Sequence, residues 1–373
     1  REAILPDPAG VAAAEAALER PSIALPALFA VQVATARWWM SLGIRPSGMI
    51  GHSSGEYAAA HLAGALSLEA ALHIVSTRGR LFEQLAPGSM LSVPLPEAEL
   101  RARLAPELCI AAVNAPQLCV ASGPVASIAA LRERLAAEGI ESQPVRISVA
   151  AHSGMLDPIL APFRDVLRSV DLRAPTTPFV SNLTGNWITP QQACDPEYWV
   201  RHLRQTVRFT DGLQTLLEDS DQLLLEVGPG RGMASLARQH PDRASRQPVL
   251  HSLRHPTQAT DDRAFAQLVL GQMWALGVEV DWDRYWRGER RRRVPLPTYR
   301  FERQRHWIEP GRGSTAAHRD PLARRPQIAD WFYEPDWRRT APRLGIAEGP
   351  ALVFVDDTGV GEAVAERLRG AGR

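Results

Sequence analysis

The sequence contains no lysine, so all 42 of its Lys and Arg residues are arginine. We interpret this bias as the composition of a GC-rich bacterial genome rather than as a feature of a mechanism. The formal net charge is only +1 over 373 residues. Neither a nucleic acid nor an anionic membrane is therefore favoured as a partner by overall charge.

Cysteine is also scarce, since only Cys109, Cys119 and Cys194 occur. Their spacing fits neither a disulfide framework nor a metal site, and a sparse, odd number of thiols is typical of the reducing cytosol. We find no secretory signal and no uninterrupted apolar segment of membrane-spanning length. These absences predict a cytoplasmic protein with no metal site. The lack of an initiator methionine predicts a piece of a longer polypeptide.

The segment GHSSGE, from Gly51 to Glu56, is the most informative part of the chain. A short apolar run precedes it and a helix-compatible run follows, which predicts a strand, a tight turn and a helix. Such a turn would hold the Ser53 hydroxyl above the sheet, with the N–H of Ser54 beside it as an oxyanion donor. The alternative is a chance occurrence in a loop rich in glycine and serine, because the bare pattern is common.

Residues 88–147 differ from the rest of the chain in the spacing of their apolar residues. Short apolar runs alternate with two amphipathic segments and predict the order strand, helix, strand, strand, helix, strand. This βαββαβ order is that of a small ferredoxin-like subdomain. We expect it to be inserted in a larger α/β body, which resumes near His152.

The composition changes towards the C-terminus. The run Arg290–Arg293 is more typical of a solvated linker than of a nucleic-acid patch. Residues 311–330 are polar and rich in proline and arginine, which predicts a flexible connector. Ala351–Val355 then reads as a buried strand, and Glu362–Leu368 as a helix. The intervening Gly359–Gly361 lacks the third glycine of a dinucleotide-binding turn, so it is weak support for dinucleotide binding.

Three further features give the serine motif a context. Arg78 lies 25 residues after Ser53, His152 lies 99 residues after it, and the sequence EVGPG begins at Glu226. Together they resemble the acyltransferase domain of modular type I polyketide synthases and the related malonyl-CoA:carrier-protein transacylases. The resemblance runs to about residue 310, and its supporting segments are Pro26–Ala30, Ala112–Pro116, Ser122–Pro124, Ser181–Gly185 and Leu296–Trp307.

The resemblance implies a domain organisation. Residues 1–282 would be an α/β-hydrolase-like acyltransferase body carrying the insert at 88–147, and residues 283–310 the linker that follows it in these synthases. After the connector at 311–330, residues 331–373 resemble the start of the structural half of a ketoreductase domain. Family members begin with a Gly-Gln-Gly segment that supplies a second oxyanion donor. This sequence starts after that point, so we expect the domain to lack its N-terminal segment.

The resemblance also implies a role for each site residue. Ser53 would be the nucleophile, His152 its general base, and Arg78 the partner of a substrate carboxylate. A main-chain carbonyl typically orients the histidine in this family, and we expect it near Gly228 and Pro229. His52 would either help line the substrate pocket or simply pack at the turn.

The segment before the catalytic histidine, Val149–His152, bears on the choice of substrate. Malonyl-selective members often carry HAFH here, and methylmalonyl-selective members YASH. Ala151 leaves room beside the substrate, but Ser54 is not the glutamine common in methylmalonyl members. We therefore favour malonyl-CoA, with methylmalonyl-CoA as the alternative.

The expected acceptor is the phosphopantetheine thiol of an acyl carrier protein. Neighbouring ketosynthase and ketoreductase domains are expected in the same megasynthase, with no cofactor bound by this chain. Two other functions stay open. A serine esterase or thioesterase of the α/β-hydrolase type would need an acidic third residue, and a non-catalytic scaffold fragment would need none of these groups.

Overall fold

The computed structural model describes residues 2–289, 292, 294–302, 327–328, 352–355 and 357–372. The chain divides into two compact units, Arg1–Arg293 and Val294–Arg373. All of the predicted site residues lie in the first unit.

The elements follow the sequence-based predictions closely. The strands are β1 (Met49–Ile50), β2 (Gly88–Val93), β3 (Cys109–Ala115), β4 (Leu118–Pro124), β5 (Gln143–Val145), β6 (Phe179–Val180), β7 (Leu224–Glu226) and β8 (Val249–His251). The α-helices of the first unit are α1 (Val11–Leu18), α2 (Pro21–Ser41), α3 (Gly55–Leu62), α4 (Leu68–Phe82), α5 (Glu97–Arg103), α6 (Val125–Ala137), α7 (Leu160–Arg168), α8 (Pro190–Ala193), α9 (Pro196–Arg204), α10 (Phe209–Leu217), α11 (Gly232–Gln239), α12 (Asp262–Ala275) and α13 (Trp282–Tyr285). Short 3-10 helices occur at Pro8–Gly10 and Gly154–Ile159.

The segment between β2 and β5 forms a separate layer, which we call the insert. Its sheet has the strand order β3-β4-β2-β5, and every neighbouring pair is antiparallel. With α5 and α6, the chain therefore runs through the predicted order βαββαβ. Alternating strand residues such as Leu91 and Val93 face the helices, where Leu100 and Leu131 complete a buried apolar cluster. The insert thus has a hydrophobic core of its own.

The remainder of the first unit, which we call the body, carries short parallel strands. Strand β1 pairs with β6, and β7 pairs with β8. Helices α2, α3, α4, α7 and α9 bury large side chains such as Phe29, Phe163 and Trp199 in the main core. Helix α4 begins at a Ser67 cap, whose hydroxyl accepts a hydrogen bond from the Ala70 N–H. That cap fixes the start of the helix that carries Arg78.

Helix α2 bears on the expectation that no uninterrupted apolar segment of membrane-spanning length occurs. Pro21–Ser41 is long and apolar enough to cross a membrane by length and composition alone, but Gln32 and Arg37 interrupt its apolar sequence. In the structure this helix packs against α4 and buries Phe29, Val33 and Trp39. The Trp39 indole also donates a hydrogen bond of 2.8 Å to the Ser252 hydroxyl. These contacts are those of a core helix.

The second unit is described only in part. Helix α14 (Val360–Gly370) confirms the helix predicted there, and it begins after Gly359 in a left-handed conformation, with φ +78°. The predicted strand at 351–355 is wrong for its described residues, because residues 352–355 form no strand and Leu352 and Phe354 are exposed. Apolar composition alone does not form a strand without a partner. Residues 303–326, which include most of the predicted connector, lie outside the described residues.

Candidate active site

The turn that carries Ser53 connects β1 to α3, as the motif predicts. Ser53 has φ +50°, a left-handed conformation that few non-glycine residues adopt. Gly51 is required by close approach, since a Cβ atom there would lie 2.1 Å from the Gly55 carbonyl carbon. The Ser54 N–H donates to no acceptor among the described residues. A free N–H therefore lies next to the serine at the N-terminus of a helix, where developing negative charge is favoured.

His152 lies directly beside this serine. Its Nε2 atom is 2.7 Å from Ser53 Oγ, and its Nδ1 atom is 2.8 Å from the main-chain oxygen of Gln205. Burial, and then the positive charge of Arg78, lower the pKa of His152 to about 3. The ring is therefore neutral at physiological pH. Because a carbonyl can only accept, the ring proton belongs on Nδ1, which leaves Nε2 free to accept the serine proton.

The expectation that the loop at Gly228 and Pro229 supplies the orienting carbonyl is wrong. The carbonyl of Gln205, in the segment after α9, holds the histidine instead. Pro229 lines an apolar cavity on the β7 side of the body. A carbonyl acceptor has no side-chain signature, so its position in the chain could not be predicted from residue types.

Arg78 reaches the same serine from helix α4. Its side chain is only 2% exposed, and its Nη2 atom donates to Ser53 Oγ over 3.1 Å. The guanidinium lies over the rings of Tyr57 and Phe82, at 5.7 and 5.2 Å from their centres. Its Nε and Nη1 atoms have no hydrogen-bond partner, and no carboxylate among the described residues pairs with it. A buried cation without an anion is costly, so this arrangement suits an anionic ligand.

The other predicted site residues have different surroundings. The buried His52 ring lies against Phe209, and its Nε2 atom is 2.8 Å from Asn114 Oδ1 in the insert. This contact favours packing over substrate binding. Ala151 is 6% exposed and belongs to an apolar cluster with Met90 and Val120 of the insert. The structure therefore brings Ser53, His152 and Arg78 together, and buries Ala151 in the apolar cluster beside the insert.

Several polar groups of the site were not predicted. Asn182, Tyr198 and His202 are each at most 1% exposed, and all lie close to Glu56 of the serine motif. Burial raises the pKa of Glu56 to about 8, so this carboxyl group is protonated at neutral pH. Burial, and then the charge of Arg78, lower the pKa of His202 well below its usual value. A polar residue close to the end of a buried strand, as Asn182 is two residues after β6, was the available sequence signal.

Two cavities lie beside Ser53 and His152. A cleft of about 380 Å³ between the insert and the body is lined by His152, Gln205, Arg204 and Cys109. A larger apolar cavity of about 700 Å³ lies between β1 and β7 and reaches Ser53 and Ser54. His152 is therefore reached from the cleft, whereas Ser53 and the free Ser54 N–H border the apolar cavity.

Comparison with known proteins defines the class of this site. The family described as "Acyl transferase domain" matches residues 11–274. The chain belongs to this family. It is 38% identical over 353 residues to a phenolphthiocerol/phthiocerol polyketide synthase of Mycobacterium tuberculosis, covering 94% of this chain and 22% of that protein. The chain thus spans about a fifth of the length of that relative.

Solved structures of similar chains show which kind of acyl transferase domain this chain resembles. The acyl transferase domain of ZmaA matches with a TM-score of 0.74 and 38% identity, over 79% of this chain and 69% of that chain. The acyl transferase domain of SpnD, in complex with 2-(pent-4-yn-1-yl)malonyl, matches with a TM-score of 0.66 and 38% identity, over 69% and 62% respectively. This chain is accordingly a homologue of the acyltransferase domains of modular type I polyketide synthases.

Proposed function

We propose that this domain transfers a malonyl-type extender unit from coenzyme A to the phosphopantetheine thiol of an acyl carrier protein. One observation carries the proposal: Ser53 Oγ lies 2.7 Å from His152 Nε2 and 3.1 Å from a buried arginine that pairs with no carboxylate in the described part of the chain. These residues can supply a nucleophile, a general base and a cation for the substrate carboxylate, all acting on one acyl group. The acyl transferase family and the malonyl-type ligand of the SpnD domain support this substrate class.

The first half-reaction forms an acyl-serine. Ser53 Oγ attacks the thioester carbonyl while its proton passes to His152 Nε2. Throughout this step the Nδ1–H of His152 keeps donating its hydrogen bond to the Gln205 carbonyl. The oxyanion that develops is stabilised by the free N–H of Ser54. Collapse expels the coenzyme A thiolate, which takes the proton from His152. A Ser–His dyad suffices, because a carbonyl occupies the place where a hydrolase triad has its acid.

The second half-reaction repeats these steps with another thiol. The pantetheine thiol of the carrier protein gives its proton to His152 and attacks the acyl-serine, and Ser53 recovers a proton as it leaves. We infer that the arm enters through the cleft lined by His152, because this cleft opens between the insert and the body. Transfer then competes with hydrolysis, so water must be kept from the ester.

Arg78 selects for a carboxylate. The Nε and Nη1 atoms are unpaired, and either one can donate to a free carboxylate together with the second N–H of Nη2 in a bidentate pair, while the buried setting strengthens the attraction. Such a pair also fixes the thioester carbonyl over Ser53. Malonyl-CoA stays our preferred substrate and methylmalonyl-CoA the alternative, since one methyl group changes binding by only about 1–3 kcal/mol.

The fold assignment follows from the same elements. We propose that the body is α/β-hydrolase-like and that the insert, with its βαββαβ order and antiparallel order β3-β4-β2-β5, is a ferredoxin-like subdomain. In the described residues β1 and β7 each pair on one side only, and the apolar cavity separates them. A parallel sheet of only two strands is unusual. We therefore propose that an extended segment preceding residue 1 fills the cavity and completes the sheet and the oxyanion hole.

The wider context is proposed from the relatives. They are polyketide synthases many times longer than this chain, so a carrier protein and ketosynthase and ketoreductase domains are the expected partners in a cytoplasmic megasynthase. The identity of residues 331–373 as the start of a ketoreductase subdomain stays a prediction.

Intact-protein mass spectrometry tests the central proposal. The chain, with and without an N-terminal extension, is mixed with equal malonyl-CoA and methylmalonyl-CoA. We expect an added malonyl mass that is absent from Ser53→Ala, and a higher melting temperature for the extended form. A methylmalonyl adduct would keep the mechanism and overturn the substrate preference. No adduct in a well-folded extended protein would favour the scaffold function.

A further inference from the structure

The nucleophile turn is held from behind by one buried amide. The Ser53 N–H donates to Asn182 Oδ1 over 2.7 Å, and Asn182 Nδ2 donates to the Gly51 carbonyl, also over 2.7 Å. One side chain therefore satisfies a donor and an acceptor on either side of His52. The opposite orientation of the amide would set donor against donor at Ser53, so these contacts determine which atom is oxygen.

The turn needs such a restraint because its conformation is unfavourable. Ser53 is held at φ +50°, where the Cβ atom is crowded and a relaxed backbone would move the hydroxyl. His152 is also left-handed, with φ +56°, so both members of the pair depend on their surroundings. Relaxation at either residue would lengthen the 2.7 Å contact between Ser53 Oγ and His152 Nε2.

Asn182 is itself fixed by the far end of the same motif. Its N–H donates to Glu56 Oε2 over 2.7 Å, and the other carboxyl oxygen contacts the Tyr198 hydroxyl. That hydroxyl is 2.7 Å from Ser181 Oγ. Glu56, Tyr198, Ser181 and Asn182 are each at most 1% exposed. The loop is thus closed, because Asn182 binds the start of the turn and Glu56, in the first turn of α3, binds Asn182.

The same contacts give the neighbouring N–H groups of Ser53 and Ser54 different roles. The Ser53 N–H is occupied by Asn182, whereas the Ser54 N–H has no acceptor among the described residues. A turn fixed in this way keeps the hydroxyl directed at His152 and one N–H free for an oxyanion.

We propose that Asn182 is a positioning residue for Ser53. It touches no reacting atom and acts only through the backbone of the turn. Its role rests on the proposed function to the extent that Ser53 is the nucleophile, but it does not depend on the acyl group or the acceptor.

The test compares Asn182→Ala, Asn182→Asp and the control Asn186→Asp, whose residue lies exposed in the same loop. A fluorophosphonate probe reads Ser53 reactivity alone: Oγ forms a bond to phosphorus, fluoride leaves, and the proton passes to His152. Because a small displacement of a reacting group costs about 100-fold, we expect Asn182→Ala to lower both probe labelling and kcat for malonyl transfer by about that factor. The KM for malonyl-CoA should change less than about threefold, and the control should match the unaltered chain.

The aspartate variant provides a readout that lost stability would not mimic. A protonated carboxyl can accept from the Ser53 N–H and donate to the Gly51 carbonyl, as the amide does, whereas a carboxylate cannot donate. The ratio of its labelling rate to that of the unaltered chain should therefore rise at least tenfold from pH 8 to pH 5.5, with circular dichroism confirming that both are folded. Glu56, His52, His152, His202, Arg78 and Tyr198 surround the site and are common to both proteins, so the ratio removes the pH dependence that the two proteins share.

Two outcomes would overturn the proposal. One is labelling of Asn182→Ala at the unaltered rate in folded protein. The other is a ratio for Asn182→Asp that does not change with pH, which stays informative if the alanine variant fails to fold. If the unaltered chain is labelled at Ser53 but takes up no malonyl group, the proposed function fails while the role of Asn182 can still be measured.

Discussion

The insert and the body of the first unit differ in how regular their structure is and in which proposed catalytic groups they carry. The insert has a four-stranded antiparallel sheet and its own apolar core, and none of the proposed catalytic groups lies in it. The body has strands of only two or three residues, yet Ser53, Arg78 and His152 all belong to it. The comparison indicates that the regular sheet of the insert has a structural role, and that the proposed catalytic residues lie where short strands end and the backbone becomes irregular.

The two regions meet at the site. The Val113 N–H donates to the Val207 carbonyl, and the Val207 N–H donates to the Ala111 carbonyl, so the segment after Gln205 extends the edge of the insert sheet. Because the Gln205 carbonyl binds His152 Nδ1, strand β3 helps to fix the orientation of the histidine. The insert thus acts on the pair through the backbone, without a reacting group of its own.

The largest expected effect tests whether the body supplies the general base, and it comes from removing His152. We expect His152→Ala to slow formation of the malonyl-Ser53 adduct by about 10⁴-fold, the upper range for general acid–base catalysis. The matched control is His73→Ala, an exposed histidine on α4, which should leave the rate unchanged. Rapid-quench mass spectrometry measures both rates. An equal rate in His152→Ala would mean that another group is the base.

Substitution of Arg78 tests whether the body also determines the preference for a substrate with a free carboxylate. We expect Arg78→Ala to lower malonyl loading by about 100- to 1,000-fold, since a buried bidentate pair with a carboxylate is lost. Some loading of a neutral acyl group such as acetyl should remain.

The control for Arg78 is Arg80→Ala, two residues along the same helix and exposed. Competition between malonyl-CoA and acetyl-CoA, followed by adduct mass, measures the ratio. Unchanged malonyl preference in Arg78→Ala would refute the role assigned to this arginine.

A matched pair of core substitutions asks whether the insert is a separate stabilising unit. Leu131 in α6 and Leu167 in α7 are both 0% exposed, one in each region. Truncation of either to alanine should cost about 2–5 kcal/mol of unfolding free energy. Hydrogen exchange should show Leu131→Ala opening the insert first and Leu167→Ala opening the body. Identical exchange patterns would indicate one cooperative unit and remove the distinction between the regions.

The smallest expected effect concerns the pH dependence of the body. The pKa of Glu56 is raised from 4.5 to about 8, so its protonated form stabilises the fold fully below pH 4.5 and loses that contribution as pH rises to 8. Glu56→Gln cannot ionise, and its stability relative to the unaltered chain should grow by roughly 1–4 kcal/mol between pH 4.5 and pH 8. Urea unfolding at both pH values measures this.

His152 titrates in the opposite sense, because its pKa is lowered to about 3 and stability falls as pH drops below about 6.5. That contribution is common to both proteins and cancels in the difference. Glu133→Gln, at an exposed position of the insert, is the control and should show no trend. A flat difference for Glu56→Gln would mean that Glu56 is ionised in the folded protein.

Prediction from the sequence succeeded where the cause is local. The order of strands and helices in the insert follows from alternation and from turn residues, and the turn at Ser53 follows from the two flanking glycines. Residues 352–355 were predicted as part of a strand and form none, because a strand needs a pairing edge that composition does not supply. The orienting carbonyl was assigned to the wrong loop for a similar reason, since every residue carries a carbonyl.

The sequence alone determined the order of elements in the insert, the serine turn and the family, because these depend on periodicity and on side chains at fixed spacing. Tertiary structure alone decided that the Gln205 carbonyl binds His152, that the buried Arg78 pairs with no carboxylate among the described residues, and that Asn182 binds the turn at Ser53. Each of these depends on atoms brought together from distant parts of the chain, where burial removes the water that would otherwise satisfy them.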